Sequence, residues 1–319
     1  MLFKPFLANC GDRNILPKVH PTSGTPEDWF SHEILGQFNL AGITFDFFVN
    51  WKSVPNSLTP VIWIKRILLP EYNYEQAIED LEDISIKEFG TKQLDILWLF
   101  GTRNKLAIQF IIFRDDLDWC QSEGEVLIVD FIGSEASKFS FDYSLVTLDR
   151  FKAQIREYSG GSIKIGTKGL LYGTSNLECH LSKTNSLYPG DADLIIIDNE
   201  TNPMCILEFK KHTMNTSISL QQLSNYYPHP DGRKYNRLEI LRHYLSRNTQ
   251  NIPLFVVYYP TNLSFTEAKL ELLTGDAGKL STKAASNFLL PSKASGIGYS
   301  KIVEKLINAI AYHHTQNAK

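Results

Sequence analysis

The chain has 319 residues, 43% of them hydrophobic and 21% charged, with a formal net charge of −3. That make-up is too apolar for a disordered chain, and its apolar runs stay below the roughly 18 residues of a membrane span. The first thirty residues show no basic leader followed by a long apolar core, so a cytoplasmic protein with no membrane partner is expected.

Four cysteines, Cys10, Cys120, Cys179 and Cys205, lie far apart without a CxxC pair and are expected as reduced thiols. The length exceeds what one core usually serves, which predicts two domains, 1–140 and 141–319. Residues 1–140 hold 12 Lys+Arg against 20 Asp+Glu, and the remainder 20 against 15, so the parts carry 12 − 20 = −8 and 20 − 15 = +5. A basic half suits phosphates, and the chemistry is expected there.

In chain order, apolar runs of strand length and β-rich composition fall at 43–51, 59–69, 94–100, 105–113 and 125–133. One helix is predicted among them, 74–89, with Ile78, Leu81 and Ile84 at helical spacing and an acidic outer face. This describes an α+β N-terminal domain of unknown role. Its aromatics Phe47, Phe48, Trp51, Trp63 and Trp98 are expected in the core rather than on a base-stacking surface.

A helix over 145–158 follows, with Leu148, Phe151, Ile155 and Tyr158 on one stripe and Ser159-Gly160-Gly161 as its stop. Then come a β-like stretch at 162–181, a hairpin of 193–198 and 204–211, a helical segment at 217–227 and a break at Pro228 and Pro230. An amphipathic helix with Leu238, Leu241 and Leu245 inward, a strand at 253–260 and a closing helix with Ile302, Val303, Leu306, Ile307 and Ile310 on one face complete the chain. That order predicts a mixed central sheet flanked by helices on both faces. No internal repeat is visible in the residues. The segment TGDAGKLST has the wrong Gly-to-Lys spacing for a nucleotide loop, and His313-His314 has no ligand partner at metal spacing.

The hairpin carries charge at one end. Alternation along a strand puts Asp191 and Asp193 on one side, as it does Glu208 and Lys210, and antiparallel pairing brings the two ends together. Carboxylates this close repel one another unless a cation lies between them, and all-oxygen ligation suits Mg²⁺ or Mn²⁺. Such an ion can activate water and neutralise charge in a phosphoryl displacement, with Lys210 beside it.

Gly190-Asp191-Ala192-Asp193-Leu194-Ile195 followed by Leu207-Glu208-Phe209-Lys210 resembles the core of the PD-(D/E)XK nucleases. The resemblance implies an α/β restriction-endonuclease-like domain in which Asp193 and Glu208 ligate metal, the backbone carbonyl of Phe209 adds a ligand, and Lys210 is the catalytic lysine. Asp191 is the alternative first aspartate, and Glu157 is the candidate acid from the preceding helix. Gln222 and Tyr226, four apart, are similar to the QxxxY element of the RecB-like branch.

Lys211, and the basic cluster of Arg233, Lys234, Arg237 and Arg242, are candidate phosphate contacts. The expectation is a Mg²⁺-dependent nuclease acting on DNA, with RNA as the alternative substrate. A role in restriction, phage defence or mobile-element processing follows by family analogy. The N-terminal domain would dimerise or bind a protein partner. The rival expectations are a nuclease-fold binding or assembly subunit without activity, and a nuclease active only within a larger complex.

Overall fold

Two β-hairpins of similar make-up, each feeding a helical crossover to a parallel strand, organise the chain. The computed structural model describes residues 1–5, 8–10, 24–121, 124–135, 138–164, 170, 172–247, 250–262, 264–291 and 298–317. Strands β1 (Leu2–Phe3) and β2 (Ala8–Asn9) precede the short helices α1 (Pro26–Trp29) and α2 (His32–Gly36). The first hairpin is β3 (Leu40–Asn50) and β4 (Ser57–Leu68). Helices α3 (Tyr74–Glu79), α4 (Leu81–Phe89) and α5 (Thr91–Asn104) lead to β5 (Ala107–Phe113), β6 (Glu125–Glu135) and β7 (Lys138–Thr147).

Helix α6 (Leu148–Tyr158), strand β8 (Tyr172–Gly173) and helix α7 (Asn176–Leu181) come before the second hairpin, β9 (Gly190–Asp198) and β10 (Pro203–His212). Two tight 3-10 turns, Ile218–Leu220 and Leu223–Asn225, are followed by α8 (Gly232–Leu245). Strands β11 (Leu254–Pro260), β12 (Glu267–Thr274) and β13 (Ser281–Leu289) and helix α9 (Tyr299–Asn317) close the order. The protein is mixed α/β, and among the described residues no helix is long and apolar enough to cross a membrane.

Several predicted elements change type or extent. Residues 94–100 are helix, not strand: Leu94, Leu97, Phe100, Gly101 and Asn104 recur at helical spacing and are buried on one face of α5. The helix predicted over 74–89 is two helices, α3 and α4, parted at Asp80, where φ −103° and ψ 21° leave the helical region. Gly90, at φ 79°, separates α4 from α5 with a backbone geometry that favours glycine. Of the β-like stretch at 162–181, residues 165–169 and 171 lie outside the described residues, and the rest holds β8 and α7. Residues 145–147 end strand β7, and α6 begins at Leu148 under the cap of Thr147, whose hydroxyl accepts from the Arg150 N–H at 3.4 Å.

The chain forms two compact units, Met1–Leu16 with Phe45–Asp191, and Pro17–Thr44 with Ala192–Lys319. They are not coextensive with a cut after residue 140. Helix α6 belongs to the first unit because Leu148, Phe151 and Ile155 fill its core with Phe48, Trp63 and Ile128. Residues of α1 and α2 belong to the second because Trp29, Phe30 and Leu35 pack with Leu207, Phe255 and Tyr259.

In the first unit β3 and β4 are antiparallel, β4 and β5 parallel, and β5, β6 and β7 antiparallel in turn. In the second, β9 and β10 are antiparallel, β10 and β11 parallel, and β11, β12 and β13 antiparallel in turn. The two units thus repeat one strand plan that the sequence does not display. They differ in what lies beneath the crossover helix. Under α5 the face is apolar, with Phe45 and Phe100 rings 5.9 Å apart and Ile108 against Gly101. Under α8 it carries charge at one end, at Asp193, Glu208 and Lys210.

The aromatics Phe47, Phe48 and Trp63 are fully buried, and Trp63 stacks on Phe151 at 5.1 Å, which makes them core. Cys10 and Cys179 are joined in a disulfide, contrary to the expectation of four thiols, while Cys120 and Cys205 are free. A sequence separation of 169 hides the pair, which the antiparallel pairing of β2 with β8 brings together.

On the α6 side of the first unit, the buried Asp46 carboxylate meets Lys65 Nζ at 2.8 Å. Burial raises the Asp46 pKa to about 7, Lys65 opposes that rise, and Glu178 and Asp191 add to it. An unfolded aspartate titrates near its ordinary value of 3.8. Between about pH 4 and about pH 7 the unfolded chain therefore gives up this proton while the folded chain keeps it, and this group's contribution to stability falls as pH rises through that window. Asp46→Asn is expected to flatten the pH dependence of unfolding between those limits. Urea titrations at both ends would show it, and an unchanged slope would sink the assignment.

Candidate active site

The second hairpin builds the site from its strand register. Leu207 pairs with Leu194 and Ile206 with Ile195, so Asp193 comes alongside Glu208 at the end of the ladder. Leu194, Ile196, Cys205 and Leu207 point to one face and pack in the core with α9 residues Ile302, Val303, Leu306 and Ile310. The alternate residues Asp193, Glu208 and Lys210 therefore point to the other face. That face is met by α8, whose Tyr235, Leu238, Leu241 and Leu245 are buried.

Asp193 is fixed by the backbone of the partner strand: its Oδ2 accepts from the Phe209 N–H at 2.8 Å. Glu208 is completely buried. Its Oε1 lies 2.9 Å from Lys234 Nζ and 3.3 Å from Lys210 Nζ, and its Oε2 has no hydrogen-bond donor among the described residues. Lys234 also reaches Asp193 Oδ1 at 3.4 Å. Lys210 donates to Asp231 Oδ2 at 2.6 Å.

The rings of Tyr226 and Tyr235 flank Lys210, with Nζ 5.1 and 5.5 Å from their centroids. Burial works to lower the Lys210 pKa, but the Glu208 charge and the Asp231 hydrogen bond outweigh it and hold the group above the ordinary lysine range. Burial, helped by the Glu208 charge, pushes the Tyr235 hydroxyl far above the usual tyrosine range.

Of the residues singled out in the sequence, Asp193, Glu208, Lys210, Lys234 and Tyr226 meet here. Lys234 was expected against phosphate, and it points instead at the carboxylates. Phe209 holds Asp193 through its N–H, and its ring packs 5.8 Å from Phe30. Asp191 is exposed at the start of β9 and Glu157 is exposed near the end of α6, both in the first unit. Lys211 and Arg233 are exposed and Arg237 is half-buried. Arg242 leaves the basic cluster, because its Nε donates to Glu239 at 2.7 Å.

The QxxxY helix is not formed. Gln222 sits in extended backbone at φ −158°, ahead of a 3-10 turn, and its side chain is exposed. Tyr226 donates instead to the Gln221 side chain at 2.8 Å, and its ring stacks on Tyr258 at 6.0 Å. The nearby prolines and the Ser and Asn of this stretch favour turns over a continuous helix, which explains the difference.

The sequence does not mark Asp231, Tyr235 or Tyr258 as site residues. Asp231 stands in Pro-Asp-Gly, which signals only a turn, and the tyrosines sit in helix and strand patterns that look like plain core.

The donor set fits a hard divalent cation. Asp193 and Glu208 offer carboxylate oxygens, and the buried Oε2 of Glu208 lacks the donor that a structural carboxylate would have. Among the described residues no three His, Cys, Asp or Glu side chains gather at ligand spacing, so an ion here would keep several waters, as Mg²⁺ does. Compared with known proteins, the chain matches no family model, no curated protein and no solved structure.

Proposed function

We propose that the protein is a metal-dependent nuclease of restriction-endonuclease-like architecture, hydrolysing phosphodiester bonds, with DNA as substrate. The observation that carries the proposal is the buried Glu208 beside Asp193 at the open end of a hairpin, with Lys210 two residues further along the same face. Asp193, Glu208 and the Phe209 carbonyl would hold Mg²⁺ or Mn²⁺, which when bound would supply an activated water and neutralise phosphate charge. Asp193 is kept in place by the Phe209 N–H, so a ligand carboxylate is oriented before anything binds.

Lys210, held by Asp231 and by two tyrosine rings, presents a fixed ammonium that can donate to a phosphate oxygen or orient the attacking water. The bridging of both carboxylates by Lys234 favours a second reading, a closed site in a module that binds nucleic acid without cutting it.

Purified full-length protein incubated with plasmid, linear and single-stranded DNA, and with RNA, plus Mg²⁺ or Mn²⁺ separates the two. Wild type is expected to cleave DNA, and Lys210→Ala to slow cleavage by about 10²–10³. Nucleic acid bound but left intact by wild type and variant alike would favour the binding module. Cleavage that appears only with added cell extract would place the activity in a complex.

A further inference from the structure

The carboxylates that would hold a divalent ion already hold a cation of the chain itself. Lys234, in the first turn of α8, stands 2.9 Å from Glu208 Oε1 and 3.4 Å from Asp193 Oδ1 and so spans the gap between them. The cluster contains the carboxylates of Asp193, Glu208 and Asp231 and the ammoniums of Lys210 and Lys234, a formal sum of 2 − 3 = −1. A divalent ion added with both lysines in place would turn that sum to +1 and crowd like charges around Glu208.

One lysine is better placed to move. The Lys210 side chain is 15% exposed, and it is tied at 2.6 Å to Asp231 and flanked by two rings. The Lys234 side chain is 26% exposed, and its flexible stem near the start of α8 can carry the ammonium outward.

Resting on the metal reading above, we infer that Lys234 is an internal counter-ion: it keeps Asp193 and Glu208 paired before a divalent ion binds, and it competes with that ion for the same oxygens. Calorimetric titration of full-length protein with Mn²⁺ tests this without any measure of activity. Lys234→Met is expected to bind Mn²⁺ at least roughly tenfold more tightly than wild type, within the usual range of coupling between ligands. Glu208→Gln is expected to abolish binding, and Lys301→Met, which removes an exposed charge on α9, to change it by less than about twofold.

Thermal melts check that each variant folds, and Lys234→Gln replaces the Met variant if that one does not. Binding by Lys234→Met that is no tighter than wild type, while Glu208→Gln still abolishes it, overturns the role of Lys234 and leaves the metal site standing. Binding that survives Glu208→Gln, or none by wild type and Lys234→Met alike, overturns the metal site and the inference with it.

Discussion

Replacing Glu208 by Gln is expected to reduce divalent-metal-dependent cleavage by about 10³-fold or more while leaving the second unit folded. Glutamine fills the same volume but removes the charge that a hard cation needs. The fold should tolerate the loss because neither lysine is left without an anion. Lys210 keeps Asp231 at 2.6 Å, and Lys234 keeps Asp193 at 3.4 Å. Stranding a buried charge costs about 3–5 kcal/mol, and this substitution strands none, so a stability change under about 2 kcal/mol is expected. Plasmid cleavage with Mn²⁺ measures the first effect and urea unfolding the second. Retained cleavage would remove Glu208 from the reaction, and a collapse in stability matching the loss of activity would make it a structural residue.

How much of the fold is legible in the sequence depends on which signals are local. The hairpin of β9 and β10 was legible because Leu194–Ile197 and Cys205–Leu207 are apolar, flank a turn and end in charge, all within 25 residues. The site carboxylates were legible for the same reason: the strand period of two and antiparallel pairing suffice to bring Asp193 to Glu208. Helix α5 resembles a strand in sequence because Leu94–Phe100 is a short apolar run that meets both periods, and only Gly101 and Asn104 beyond it extend the helical one.

Strand β13 was missed because its residues are mostly exposed and polar, so no alternation marks it. The Cys10–Cys179 disulfide and the Lys234 bridge are products of tertiary geometry, which no spacing within either segment encodes. The shared strand plan of the two units was invisible for a related reason. Its crossover faces carry Phe45 and Phe110 in one unit and Asp193 and Glu208 in the other, so the plan survives in pairing where side-chain identity does not.

A larger stability effect is expected two strands over from β10, at Glu271. This residue on β12 is 1% exposed, yet its carboxylate is fully employed. Oε2 accepts from the Leu223 N–H at 2.9 Å and from the Tyr258 hydroxyl at 2.6 Å, and Oε1 accepts from the Thr282 hydroxyl at 2.7 Å. Glu271→Ala would leave the buried Leu223 N–H and Tyr258 hydroxyl without an acceptor, while the exposed Thr282 hydroxyl turns to water, and would open a void, for an expected loss of about 3–5 kcal/mol. Glu271→Gln should cost about 1 kcal/mol, because its carbonyl can keep the Leu223 and Tyr258 bonds while the Thr282 hydroxyl turns to accept.

The consequence reaches the candidate site through stacked rings. Tyr258 supports Tyr226 at 6.0 Å, and Tyr226 lies 5.1 Å from Lys210 Nζ. The 3-10 turn that Glu271 caps at Leu223 is the one that delivers Tyr226. Urea unfolding of wild type, Glu271→Ala and Glu271→Gln reads the stability difference directly. Equal losses for the two variants would show that the negative charge, and not the three hydrogen bonds, is what the second unit requires of Glu271.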